Sequence, residues 1–155
     1  MRLEYFQMLD GVERLDLDLP TLVASAQVPE TSPVFEGHFP GHAVMPGVLL
    51  LETMAQAAGY LMLASDGFSR MPFFAGVKKA NFRAFVPPGA DLLVHATRVH
   101  DGSGYAVVDT SILHGGKSMA DACLIMRSVA FPNTALEQHV RSEGTRLGLL
   151  KETHA

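Results

Sequence analysis

Between Val48 and Leu63 the only clearly polar side chains are Glu52, Thr53 and Gln56, with Tyr60 amphipathic. A helix that is apolar nearly all round is normally buried. Pro46 stands just ahead of the run, and proline suits a first helical turn, where its missing N–H costs nothing. The pattern predicts one central helix from about Pro46 to Ala64, roughly 25–28 Å long at 1.5 Å per residue. Whatever else the chain forms must cover that helix. Glu52, Gln56 and Tyr60 are spaced i, i+4, i+8 and form one stripe along it. The run is shorter than a typical ~20-residue span and carries Glu52 and Gln56, so no membrane insertion is expected.

Ahead of the helix, Phe35 to Met45 contains Gly37, Pro40 and Gly41 and reads as a loop. Before that, Val12 to Leu19 and Leu22 to Val28 alternate in polarity and predict two short strands separated by Pro20. Leu3 to Leu9 fits a short helix or a strand. Beyond the helix, Ser65-Asp66-Gly67 is a stop signal with Gly67 as a left-handed cap. Strands then follow: Met71 to Lys78, Phe82 to Val86, Asp91 to His100, Tyr105 to Leu113 and Ser118 to Phe131. The last three are long and joined by short Gly-rich turns, which predicts an antiparallel meander. Thr134-Ala-Leu-Glu137 is a capping-box pattern for a short helix to about Arg141, and a mobile tail is expected from Ser142 to Ala155. The fold class is α+β, one long central helix wrapped by a curved antiparallel sheet. Residues 1–132 are expected as a single domain, with residues 133–155 a short helix and flexible tail.

A chain of 155 residues fits one domain. It is 48% hydrophobic, apolar enough to suggest that another subunit covers part of the surface. A lone sheet around a helix also leaves an edge to be covered, which a homodimer would do. The net charge of −4 argues against nucleic-acid and anionic-membrane partners. Cys123 is the only cysteine, so no intramolecular disulfide is possible and a cytoplasmic location is the simple expectation. The first residues lack the apolar core of a signal peptide.

The chemistry concentrates around the start of the helix. His38 lies in the preceding loop, and neutral imidazole is the usual general base near physiological pH. Glu52 falls in the second turn of the apolar helix, where burial disfavours a carboxylate and favours a proton donor. The free N–H groups of Gly47 and Val48 can hold a carbonyl oxygen that gains negative charge. A base and an acid converging on an apolar tunnel suit elimination of water. Each feature also has an ordinary reading: a loop histidine is more often a surface residue, and a buried glutamate often pairs with a base. Their joint occurrence favours chemistry. Pro40 and Gly41 between His38 and His42 exclude a helical metal pair, and no metal or other cofactor is expected. His95, His100 and His114 read as structural or solvated. Met45, Met54, Met62 and Met71 read as pliable core lining.

The stretch GHFPGHAVMPGVLLLETMAQ, Gly37 to Gln56, resembles the signature of the FabZ-type 3-hydroxyacyl-acyl-carrier-protein dehydratases, which have the hotdog fold. Phe82-Arg83, Val86-Pro87 and Gly89 to Leu92 resemble the family's strand after the helix, and the likeness extends over roughly Asp10 to Phe131. The resemblance implies dehydration of a (3R)-3-hydroxyacyl thioester to the trans-2-enoyl thioester without a cofactor. It implies His38 as the base on C2, Glu52 as the acid toward the 3-hydroxyl and the Gly47 N–H as carbonyl holder. Val48, Phe39, Gln56 and Tyr60 are the further substrate-binding candidates. The partner implied is an acyl carrier protein bearing a phosphopantetheine-linked chain, and Lys78, Lys79 and Arg83 are candidates for its landing patch. In such enzymes the His and Glu of one site come from different subunits of a homodimer, and the dimers often associate into hexamers.

Ala43 stands where the family commonly has proline. The tail after Pro132 extends beyond shorter members. The acid is Glu52, not the Asp of related dehydratase-isomerases, so no double-bond isomerisation is expected. A non-catalytic acyl-binding hotdog domain or a hotdog thioesterase are the alternatives. The first would be expected to lose His38 or Glu52, and the second has no use for Gly37-His38-Phe39-Pro40.

Overall fold

The computed structural model describes residues 1–152. Six strands form one antiparallel sheet: β1 (Gly11–Asp16), β2 (Thr21–Gln27), β3 (Met71–Phe82), β4 (Asp91–Gly102), β5 (Tyr105–His114) and β6 (Lys117–Val129), in the order β1-β2-β4-β5-β6-β3. Three helices accompany them: α1 (Pro33–Gly37), α2 (Gly47–Ser65) and α3 (Thr134–Arg146), with a 3-10 turn at Leu3–Tyr5. The expected meander is β4-β5-β6, and the helix expected at the centre is α2. The architecture is α+β, a hotdog in which the sheet curls around α2.

The core follows from two periodicities meeting. In β4 Leu92, Val94 and Ala96 point inward; in β5 Ala106, Val108 and Ile112; in β6 Ala120, Ala122, Leu124 and Met126. Against them α2 sets Leu50, Met54, Ala57, Ala58 and Leu61, all buried. The small residues Ala55, Ala57, Ala58 and Gly59 let the strands approach the helix closely. Each fully buried Leu or Met side chain contributes roughly 1.5–3 kcal/mol relative to exposure. By length and composition alone α2 could cross a membrane, but strands β2, β3, β4, β5 and β6 all pack on it. Inward-facing polar groups are satisfied locally: Thr53 Oγ1 donates to the Leu49 carbonyl (2.7 Å) and Thr110 Oγ1 to that of Ala122 (2.8 Å). Gly67, φ +68°, follows the end of α2 in the left-handed region expected for it.

Three expectations are corrected. First, the loop from Phe35 to Met45 begins inside α1. Ser32 caps that helix, its Oγ accepting from Val34 N (3.2 Å), Pro33 takes the first turn and buried Phe35 anchors it. Second, Met71 to Phe82 is one strand, not two segments. Register shifts at Phe74/Gly76 and Val77/Lys79 absorb the breaks in its pattern. Residues 83–86, expected as strand, lie beyond it. Third, α3 runs past Arg141 to Arg146, and the residues after it are not a free tail. Arg141 Nη2 donates to the Phe68 carbonyl (3.2 Å) and Arg146 Nη1 to that of Leu9 (2.9 Å). Val12 N donates to the Leu147 carbonyl (3.0 Å), and Leu147 is buried. The last three residues of the expected tail lie outside the described residues.

Candidate active site

His38 caps the C-terminal end of α1 and is half-buried. Its Nδ1 lies 3.0 Å from the Val44 carbonyl oxygen, and Val44 N donates back to the His38 carbonyl at 3.1 Å. A carbonyl only accepts, so Nδ1 carries the hydrogen in the neutral ring and Nε2 holds the free lone pair. The loop thus holds the candidate base with its tautomer fixed. Phe39 stacks on the imidazole with ring centroids 4.1 Å apart, limiting rotation, and is itself half exposed. Met45 N donates to the Val86 carbonyl (2.8 Å), tying the loop end to the segment after β3. His42 is exposed. No group of three or more potential metal ligands occurs among the described residues.

Pro46 occupies the cap position of α2, and its carbonyl accepts from Leu49 N (3.0 Å) and Leu50 N (3.1 Å). The N–H groups of Gly47 and Val48 precede these and are donors at the helix N-terminus, where the dipole favours negative charge. A side chain at Gly47 would come within 3.5 Å of the Phe82 ring. Val48 is 74% exposed, so this end of the helix is open.

Glu52 is half-buried, not buried as its apolar setting led one to expect. It heads a cleft of about 260 Å³ lined along α2 by Glu52, Gln56, Gly59, Tyr60 and Leu63, with Pro72 and Phe74 from β3 and Val140 from α3 opposite. Gln56 Nε2 donates to Glu52 Oε1 (3.0 Å) and to the Phe6 carbonyl (2.5 Å), while its Oε1 accepts from Met8 N (3.2 Å). The three residues of the expected stripe all line this cleft, and Gln56 holds one carboxyl oxygen of Glu52. Burial pushes the Tyr60 hydroxyl up to about 12, with Glu143 raising it further and Arg146 opposing. That phenol stays neutral at physiological pH.

The cleft does not include His38, Phe39, Gly47 or Val48 among its lining residues. The candidate base thus lies outside the cleft that Glu52 heads. Lys78, Lys79 and Arg83 are exposed, yet Arg83 Nε donates to Asp121 Oδ2 (2.6 Å), and Asn81 Nδ2 to Oδ1 (2.9 Å). Those contacts hold the Asp121 carboxyl below its ordinary range. His95, His100 and His114 all lie in strands.

Sequence reasoning missed Met8, Phe6 and Val140 as parts of this region. None carries a local signal, because each arrives through a tertiary contact from a chain end.

The FabA-like domain family model matches residues 2–123. The 3-hydroxyacyl-[acyl-carrier-protein] dehydratase FabZ of Chlamydia abortus is 38% identical over 122 residues, 77% of this chain and 73% of that protein. The protein of the same name from Coxiella burnetii is 41% identical over 117 residues, 69% of this chain and 82% of its own. Among solved structures, a Pseudomonas aeruginosa thioesterase superposes with a TM-score of 0.60 at 19% identity, covering 77% of this chain and 81% of its own. The match covers most of the chain, from the first strands into β6: this chain belongs to the FabA-like family. Its curated relatives are the FabZ dehydratases, whereas the thioesterase likeness is one of fold alone.

Proposed function

We propose that this chain is a 3-hydroxyacyl-acyl-carrier-protein dehydratase of fatty-acid synthesis, converting a (3R)-3-hydroxyacyl thioester to the trans-2-enoyl thioester and water. The observation that carries the mechanism is the Nδ1 contact of His38 with the Val44 carbonyl, which leaves Nε2 as the proton acceptor. Nε2 takes the proton from C2. The electron pair moves toward the thioester carbonyl, whose oxygen is held by the N–H groups of Gly47 and Val48. Glu52, through the oxygen that Gln56 leaves free, gives a proton to the 3-hydroxyl as the C3–O bond breaks. Water departs, and proton exchange between His38 and Glu52 through solvent resets both groups. The acyl chain lies along Gln56 and Tyr60, and Phe39 borders the His38 end.

The base and the acid of one reaction come from two copies of the chain. Support comes from His38 lying outside the cleft that Glu52 heads and from β3. This edge strand, paired only with β6, exposes Phe73 (55%), Phe74, Val77 and Phe82 (49%). A second copy would cover that row, so the working unit is a homodimer with two shared sites; association of three such dimers is the larger assembly we favour. Residues 1–132 form the catalytic domain. The carrier protein docks at Lys78, Lys79 and Arg83, and the reaction takes place in the cytoplasm.

The test is to follow enoyl formation from 3-hydroxyacyl thioesters on a carrier protein. His38→Ala and Glu52→Gln are each expected to lower kcat by about 10²–10⁴-fold. Mixing the two variants should restore part of the activity, since a hybrid dimer keeps one intact pair. Wild-type rates in both single variants would refute the assignment. Absence of recovery after demonstrated subunit exchange would refute the shared site.

A further inference from the structure

Two cavities meet at α3. One is the cleft headed by Glu52; the other, of about 500 Å³, lies between the first residues of the chain and α3 and includes Arg2, Gln7, His139 and Glu143. Gln56, Tyr60 and Val140 line both. These three side chains are therefore the partition between the two cavities, the second of which is lined also by Tyr5 and Phe6. Gln56 is fixed by its hydrogen bonds to Glu52, Phe6 and Met8, and Tyr60 sits two helical turns below Glu52, about 12 Å along the axis. Val140 is the one member contributed from outside the family-matched residues 2–123.

The helix carrying Val140 is held firmly. Gly144 lies so close to Phe68 that an added Cβ would come within 2.5 Å of the ring. Arg141 and Arg146 bind carbonyls of Phe68 and Leu9, and Gln7 Nε2 reaches both carboxylate oxygens of Glu143 at 3.2 Å. These anchors, all between Arg141 and Arg146, hold the half of α3 that follows Val140 and give the cleft a defined floor.

We propose that α3, through Val140, is the distal wall of the acyl-binding cleft and sets the longest chain the enzyme accepts. This rests on the dehydratase reading for the occupant, an acyl chain running from Glu52 toward Tyr60. A chain that ends short of the wall gains contact with each added methylene, about fourfold in kcat/KM per group. One that reaches it must displace Val140 or turn its apolar end past it toward Arg2, His139 and Glu143. The break in the chain-length profile is therefore a property of the partition.

The experiment measures kcat/KM for full-length protein on 3-hydroxyacyl carrier-protein thioesters from four to sixteen carbons. Wild type is compared with Val140→Ala and Val140→Trp, and calorimetry with saturated acyl-pantetheine thioesters repeats the series as binding. Each profile is normalised to the four-carbon rate of the same protein. The expected result is that the break moves to longer chains in Val140→Ala and to shorter chains in Val140→Trp, by about fourfold per methylene gained or lost. An unmoved break in both normalised profiles overturns the inference and leaves the dehydratase reading standing. If the wild type dehydrates no chain, that reading falls, and the binding series decides the wall alone: shifted breaks support it and coincident profiles overturn it.

Discussion

Gln56 joins three parts of the molecule that are distant in sequence, so its removal is a sharp test of how the site is held. In Gln56→Leu the buried Met8 N–H loses its acceptor, the Phe6 carbonyl its donor and Glu52 Oε1 its amide partner. Met8 is fully buried, and an unpaired buried N–H costs about 1–3 kcal/mol. The Phe6 carbonyl can turn to water, so its loss contributes about 0.5–1.5 kcal/mol at most. The Glu52 contact is half exposed and adds little once solvent replaces it. The sum is about 2–4 kcal/mol, which corresponds to a fall in Tm of roughly 5–15 °C for a domain of this size. Gln56→Glu should be less damaging, because its carboxyl can still accept from Met8 N and only the donor to the Phe6 carbonyl and to Glu52 is lost. Urea unfolding followed by circular dichroism reads the change directly. A loss below about 0.5 kcal/mol, the ordinary size of a surface substitution, would refute the claim that Gln56 ties the first residues to α2.

Two further outcomes follow from the same region. Gly144→Ala improves intrinsic helix propensity by about 1 kcal/mol, yet its methyl would meet Phe68, which is 1% exposed and has nowhere to move. Net destabilisation of about 1–3 kcal/mol is expected in thermal unfolding; a more stable variant would contradict the close packing of α3. Tyr60 ionises at about 12 when folded, against 10.0 for the free side chain. Its folded value is raised, so its contribution is fully present below pH 10 and is lost as pH rises from there toward 12. Two pH units amount to at most about 2.7 kcal/mol. Tyr60→Phe should therefore flatten the fall of stability over that window, and an unaltered alkaline slope would show that Tyr60 is not the residue responsible.

How much of this was legible in the sequence depended on how local the cause was. The core helix was readable because Val48–Leu63 is apolar on every face, and a lone helix can satisfy that only by being wrapped. Strands β4 to β6 were readable because alternation and Gly-rich turns are properties of neighbours in sequence. His38 and Glu52 stood out through residue type beside a helix start. Ser32-Pro33 announces the start of α1, but the glycines and Pro40 that follow outweighed it. The continuity of β3 was hidden because its register shifts place unlike residues on one face. The packing of α3 was not legible at all, since Gly144 has meaning only against Phe68, seventy-odd positions earlier.

The two-copy reading and the wall at Val140 bear on each other through β3. A twelve-residue edge strand with exposed phenylalanines is a hazard unless something pairs with it. Lys78 and Lys79 are the charges that would discourage indiscriminate pairing, yet they sit in mid-strand while Phe73 and Phe74 lie near its start. That start is also where Pro72 and Phe74 line the cleft opposite Tyr60. A second copy seated along β3 would therefore close the open side of the cleft that Glu52 heads, at the same time as it brings its own His38 toward that carboxyl. The chain's end, folded back as α3, would close the other side. Dimerisation would complete the catalytic pair while the fixed tail bounds the chain that reaches it, so the tail can vary the substrate range without disturbing the loop that holds the base.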